Sequence, residues 1–116
     1  MAYTPTRLYQ GQLSNTETTS TPGILNAAVP ASTTWIVKEI VLCNTSAVSS
    51  QTIYLSIVPS GGTGGSANRI IGGYVLAAGQ TTTFDLSIVM TNGDFITGYS
   101  TTASIVTATI SGVVIT

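Results

Sequence analysis

Three features of this sequence predict an all-β fold, a single antiparallel β-sandwich of six to eight strands in an Ig-like or jelly-roll arrangement. Several short segments alternate apolar and polar residues with a period of two. Clusters of turn-forming residues separate them at short intervals, and no segment carries the apolar period of a capped helix. The length, 116 residues, is that of one domain.

The organising stretch is Trp35 to Val58. Its first run, W-I-V-K-E-I-V-L-C-N, is apolar on both faces apart from Lys38 and Glu39, which suits a central strand with a second sheet on one side and a neighbour on the other. A polar gap follows, short enough for a hairpin or a corner between sheets. In the second run Ile53, Leu55 and Ile57 alternate with Thr52, Tyr54 and Ser56, so the first three are expected in the core and the others on the wetter face.

The flanking segments complete the fold. Residues 1–23 are polar, contain Pro5 and Pro22, and read as an N-terminal arm, either a peripheral strand or a segment that docks on a neighbour. Within it Arg7 to Leu13 is a short strand candidate. The sandwich domain is expected over 24–116, with Ile24 to Val29 its first candidate strand. Beyond Val58, P-S-G-G-T-G-G-S-A-N predicts a long, exposed, flexible loop. Arg69 to Leu76 returns as a strand in which Gly72-Gly73 marks a bulge, and Ala77 to Gln80 turns the chain. Thr82, Phe84, Leu86 and Ile88 form the buried side of the next strand. Asn92-Gly93-Asp94 predicts a hairpin turn into Phe95 to Ser100. The last strand, Ser104 to Ile115, turns Val106, Ala108, Ile110 and Val114 to one face.

Composition narrows the function. Three basic and four acidic side chains make 6% of the chain, against about a quarter in an ordinary domain. The 21 Thr and 13 Ser must therefore carry most of the hydration, and with a net charge of −1 much of the surface is expected to be covered by copies of the chain or by a larger assembly. Three scattered basic residues cannot form the stripe that neutralises phosphates, so nucleic acid is excluded as a partner. No apolar run approaches the roughly 20 residues that span a bilayer, and the first ten residues have no apolar signal core, so neither membrane insertion nor a cleaved signal is expected. Cys43 has no intrachain partner and is expected to be a small buried hydrophobe.

Chemistry has few footholds. With no histidine, the usual neutral-pH base, His triads and His metal sites are absent. Glu39 lies mid-strand beside Lys38 and Asp94 in a turn, so no catalytic pair, metal site or cofactor is expected, and the chain is read as a non-enzyme. The G-T-G-G-S-A run fits a dinucleotide fingerprint in letters only, because a strand rather than a helix follows it. Asn44-Thr45-Ser46 matches a glycosylation triplet but reads as an ordinary turn. Two groups are left as contact candidates. One is the loop Gly61, Gly62, Thr63, Gly64 and Gly65, whose missing side chains would let a ligand or subunit approach. The other is the aromatics Trp35, Tyr74 and Tyr99, which either stack on a sugar ring or pack in the core or against a neighbouring subunit.

The phrases V-P-A-S-T-T-W-I-V-K-E-I-V-L-C-N-T-S, L-S-I-V-P-S-G-G, A-N-R-I, A-G-Q-T-T and S-I-V-T-A-T-I-S-G-V resemble small β-sandwich proteins encoded among the structural genes of tailed bacteriophages. The resemblance spans roughly Val29 to Val113 and contains no catalytic signature. It implies a virion component present in many copies, made in the bacterial cytoplasm: a tail-associated or fibre protein, or a capsid decoration protein. Its implied partners are itself, in a homo-oligomer that analogy with phage appendages makes a trimer, and other virion proteins. The alternative is a carbohydrate-binding or host-adhesion module, with a host surface glycan as partner.

Overall fold

Period-two alternation is realised as strand wherever the structure, a computed structural model, describes the chain, namely residues 2–16 and 28–116. The strands are β1 (Tyr3–Gln12), β2 (Thr34–Asn44), β3 (Gln51–Val58), β4 (Arg69–Leu76), β5 (Thr81–Met90), β6 (Phe95–Ser100) and β7 (Val106–Ile115). A single 3₁₀ turn, Ser66–Asn68, precedes β4. The strands form two antiparallel sheets, one in the order β1-β7-β2-β5 and the other β4-β3-β6. Pairing is nested: β3 with β4, β2 with β5 around them, β1 with β7 outermost. That is a long hairpin wound on itself, the jelly-roll alternative of the expected sandwich. On the outer side of β6, Ser100 N–H donates to Ser14 O and Val29 N–H to Asp94 O, both at 2.9 Å.

The core lies between the sheets. Val37, Ile40 and Leu42 of β2 meet Ile53 and Leu55 of β3 and Ile96 of β6, all fully buried. Ile57 and Trp35 pack against the same cluster from positions that are partly covered. Two adjacent charges would break the inward alternation of β2 at Lys38-Glu39. Instead the register shifts between Val37 and Glu39 against both neighbours, so Val37 and Ile40 both point inward and the two charges stay outside. Pro5 lies in β1, an edge strand where its missing N–H leaves no central ladder position empty.

Asn44 fixes the first corner between sheets. Its buried Nδ2 donates to Ser49 O and Leu76 O, each at 3.0 Å, while Oδ1 accepts from Ser46 N–H at 2.9 Å. The glycosylation triplet is thus a turn whose asparagine is turned inward. At the bulge in β4, Gly73 has φ +88°, and the register passes from Tyr74 to Gly72 opposite Ile53 and Tyr54.

Four expectations are corrected. Asn92-Gly93-Asp94 does turn the chain with Gly93 at φ +87°, but β5 and β6 belong to different sheets, so it is a corner and not a hairpin. Asp94 holds that corner by accepting Thr91 N–H at 2.8 Å and Ser60 N–H at 3.0 Å. Cys43 lies on the outward side of β2, half-buried between Thr107 and Thr81, because inward alternation falls on Leu42 and Asn44. Ser56 faces outward with Tyr54 yet is fully buried, because the glycine-rich loop lies over it. That loop is exposed over most of its length, as expected, but it is tied to β3 rather than free. Residues 3–12 of the arm belong to the sheet as β1, while most of the Ile24 to Val29 candidate and residues 17–23 lie outside the described residues.

Candidate functional site

The two sheets present two outer faces, and each collects a distinct set of side chains. On the three-stranded sheet, Tyr54 and Tyr99 stand directly opposite one another on β3 and β6. Cross-strand neighbours on one face are close enough for ring contact, and these two stack at 4.6 Å between centroids and 10° between planes. The guanidinium of Arg69, entering β4, sits 5.1 Å from the Tyr54 ring centre and 5.6 Å from that of Tyr99, within cation–π range. Gly73 lies beside the Tyr54 ring, where a Cβ would make ordinary contact at 3.7 Å, and its φ of +88° is what favours glycine there.

The glycine loop forms the wall beside this shelf. Gly62 N–H donates to Pro59 O at 2.8 Å, and Ser56 Oγ donates to Gly65 O at 3.5 Å, drawing the loop back over β3. Gly64 is buried and Gly62 half-buried, whereas Gly61 and Thr63 are exposed. A Cβ on Gly62 would sit 3.1 Å from Val58 Cγ1 and 3.0 Å from Pro59 O, so the absent side chain is what lets the backbone lie flat. Gly62 thus approaches the protein's own chain at Val58 and Pro59, whereas Gly61 and Gly65 have open space around them.

The aromatics singled out in the sequence do not meet. Trp35 points inward opposite Met90 and Val114 and packs against the core. Tyr74 also packs against it, edge-on to Phe84 at 5.3 Å and 84°. Only Tyr99 reaches the shelf, where its companions are Tyr54 and Arg69. The alternation of β3 already set Tyr54 on the outer face, but Arg69 comes opposite Ser56 through a second register shift of β4, between Leu55 and Ser56, which has no signal in sequence.

The outer face of the four-stranded sheet is ordered in rows across β1, β7, β2 and β5. Pro5, Val113, Ile36 and Val89 form one row, with Tyr3 and Ile115 beyond it at the same end. Arg7, Ser111, Glu39 and Asp85 form the next. Further along lie Gln10, Thr109, Val41 and Thr83, then Gln12, Thr107, Cys43 and Thr81. Lys38 Nζ donates to Ser87 Oγ at 2.9 Å beside the charged row. The apolar end is open to water: Tyr3 is 67% and Val89 59% exposed. Among the described residues, four of the six charged side chains sit on this face, two of each sign.

Of the described acids, Glu39 and Asp85 are cross-strand neighbours and Asp94 stands apart. Asp85 is on this outer face, Glu39 beside it, and Asp94 in the corner before β6; among the described residues no three His, Cys, Asp or Glu side chains group as metal ligands. The fold with its two faces is that of a small antiparallel β-sandwich, built from surfaces and corners. Compared with known proteins, the chain matches no family model, no curated protein and no solved structure.

Proposed function

We propose that the protein is a non-enzymatic structural component of a bacteriophage virion, tail-associated, fibre or capsid decoration, that assembles in multiple copies. The observation that carries the self-assembling part is the outer face of the four-stranded sheet, where exposed and half-buried apolar side chains of all four strands gather at one end. The particle itself comes from the resemblance of Val29 to Val113 to small sandwich proteins of tailed phages. Hydroxyl-rich strands and corners tied by Asn44 and Asp94 suit a module that keeps its shape within a larger body. In cells lysed by a phage carrying this coding sequence, the protein is expected to sediment with intact particles at a fixed copy number. Recovery only in the soluble fraction would sink the proposal.

One observation favours a second function, binding of a host glycan. Tyr54, Tyr99 and Arg69 offer ring surface and a cation on one shelf, the combination used against sugars bearing an acidic group. A glycan array that gains signal with the wild type and loses it with Tyr99→Ala would support it. Silence across acidic and neutral glycans alike would remove it.

A further inference from the structure

We infer that the outer face of the four-stranded sheet is a two-fold interface, covered by the same face of a second copy with the symmetry axis running along the strands between β7 and β2. This deepens the self-assembling proposal and rests on it; it replaces the three-fold assembly implied by analogy.

The strand register dictates the geometry. A two-fold axis lying in the interface along the strands keeps each row at its own level and reverses its order, so β1 of one copy covers β5 of the other and β7 covers β2. The apolar row Pro5–Val113–Ile36–Val89 then lies on Val89–Ile36–Val113–Pro5 of the second copy. In the next row Arg7 falls over Asp85 and Ser111 over Glu39, each twice by symmetry. Arg7 and Asp85 therefore meet as opposite charges, while Glu39 meets a hydroxyl. An axis across the strands would instead lay the apolar row on the hydroxyl and amide rows. Only the strand-parallel axis matches apolar to apolar across all four strands and sets Arg7 against Asp85 at both edges.

Scale agrees with this. Four strands about 4.8 Å apart, each nine residues long at about 3.4 Å per residue, present roughly 600 Å² per copy. That is near the lower end of a stable interface, which buries about 600–1,000 Å² per partner. Aligned sheets pack about 10 Å apart and cross at about −30°, a gap that arginine and aspartate side chains can span. Pro5 in β1 leaves the face available while making edge-to-edge extension of the sheet less favourable.

Sedimentation equilibrium of the intact protein across the micromolar range, at low and high salt, tests the interface. The wild type is expected to form a reversible dimer. Val89→Asp should weaken it at least about a hundredfold, since an unpaired charge is buried twice. Arg7→Asp and Asp85→Arg should each weaken it about tenfold at low salt and less at high salt. The double exchange Arg7→Asp with Asp85→Arg should restore it to within about threefold of the wild type. Each variant's thermal melt, taken at the concentration where it is monomeric, shows whether it is folded; if Val89→Asp does not fold, the charge exchange alone decides. Any of three results overturns the interface: a wild-type monomer throughout, association indifferent to a folded Val89→Asp, or a double exchange as weak as the two singles combined. The particle proposal is judged separately by sedimentation with virions. A monomer that still travels with particles sinks the interface alone, and a dimer that does not travel with them sinks the particle alone.

Discussion

Leu55 and Gly98 face one another across β3 and β6, inside the sandwich, and the pair can be tested by exchanging volume between them. Leu55 is fully buried in the core cluster, so Leu55→Ala should cost about 2–5 kcal/mol, the transfer loss plus the cavity it leaves. At Gly98 a Cβ would collide with Leu55 Cδ2 and lie 2.6 Å from Tyr54 O. Gly98→Ala should therefore cost about 1–3 kcal/mol from overpacking, lessened by roughly 0.5 kcal/mol because alanine restricts the unfolded chain. In the double variant the new methyl enters the space that Leu55 vacated, but the backbone oxygen of Tyr54 still opposes it. The recovery is partial: the pair should cost about 1 kcal/mol less than the sum of the singles. Equilibrium urea unfolding at one fixed protein concentration measures this, the concentration mattering because self-association adds to apparent stability. With about 6–17 kcal/mol expected for 116 residues, all three variants can remain folded. Costs that add to within about 0.3 kcal/mol would show that the two side chains do not share a space, and would refute the pairing of β3 with β6 in this register.

Three further outcomes follow from the corners, the loop and one tyrosine. Asn44→Ala removes three hydrogen bonds and leaves the Leu76 carbonyl without its donor, so thermal melting should show a loss of about 1–3 kcal/mol; an unchanged melt would mean that the corner is held otherwise. Replacing Gly61 to Gly65 by an equally long Ser/Asn linker should lower stability by about 1–2 kcal/mol, because Gly61 has φ +78° and a Cβ on Gly62 would press on Val58 and Pro59; an unaltered unfolding midpoint would mean that the loop does not lie on the sheet. Burial raises the pKa of Tyr9 above its ordinary value of 10.0. Its unfolded form ionises near that value, so this contribution to stability is complete below about pH 10 and is lost as pH rises through the folded pKa. Tyr9→Phe should flatten the decline in urea stability above pH 10, and an identical decline in the variant would clear Tyr9 of the effect.

Much of the fold was legible because it rests on local alternation. Ile53, Leu55, Thr82 to Ile88 and Val106 to Ile110 each announce their buried side through their neighbours in sequence. The bulge at Lys38-Glu39 was not read from V-K-E-I, where the two charges stood only as an interruption of an apolar strand. What was not legible depends on partners distant in the chain. Nothing near Asn92-Gly93-Asp94 says whether the strands it joins share a sheet, and the burial of Ser56 depends on a loop nine residues further on. Trp35 and Tyr74 are as aromatic as Tyr99, and only strand parity separates core from shelf. The apolar row was invisible for the same reason: Pro5, Ile36, Val89 and Val113 become neighbours only through three registers at once.

The nesting of the strands also prescribes an order of assembly. Joining β3 to β4 closes only the ten residues 59–68, whereas joining β1 to β7 brings Ala2 and Thr116 together, where they exchange two backbone hydrogen bonds of 3.1 Å. A loop about tenfold longer costs roughly 2 kcal/mol more to close from an open chain. Once β3 and β4 have met, however, β2 and β5 need cross only the short corners at each end, and every completed pair brings the next one near. The protein should therefore close from its middle outward, with the outermost pair joining last and opening first. Amide hydrogens of β1 should then exchange ahead of those of β3, so that slow unravelling begins where the two ends of the chain meet.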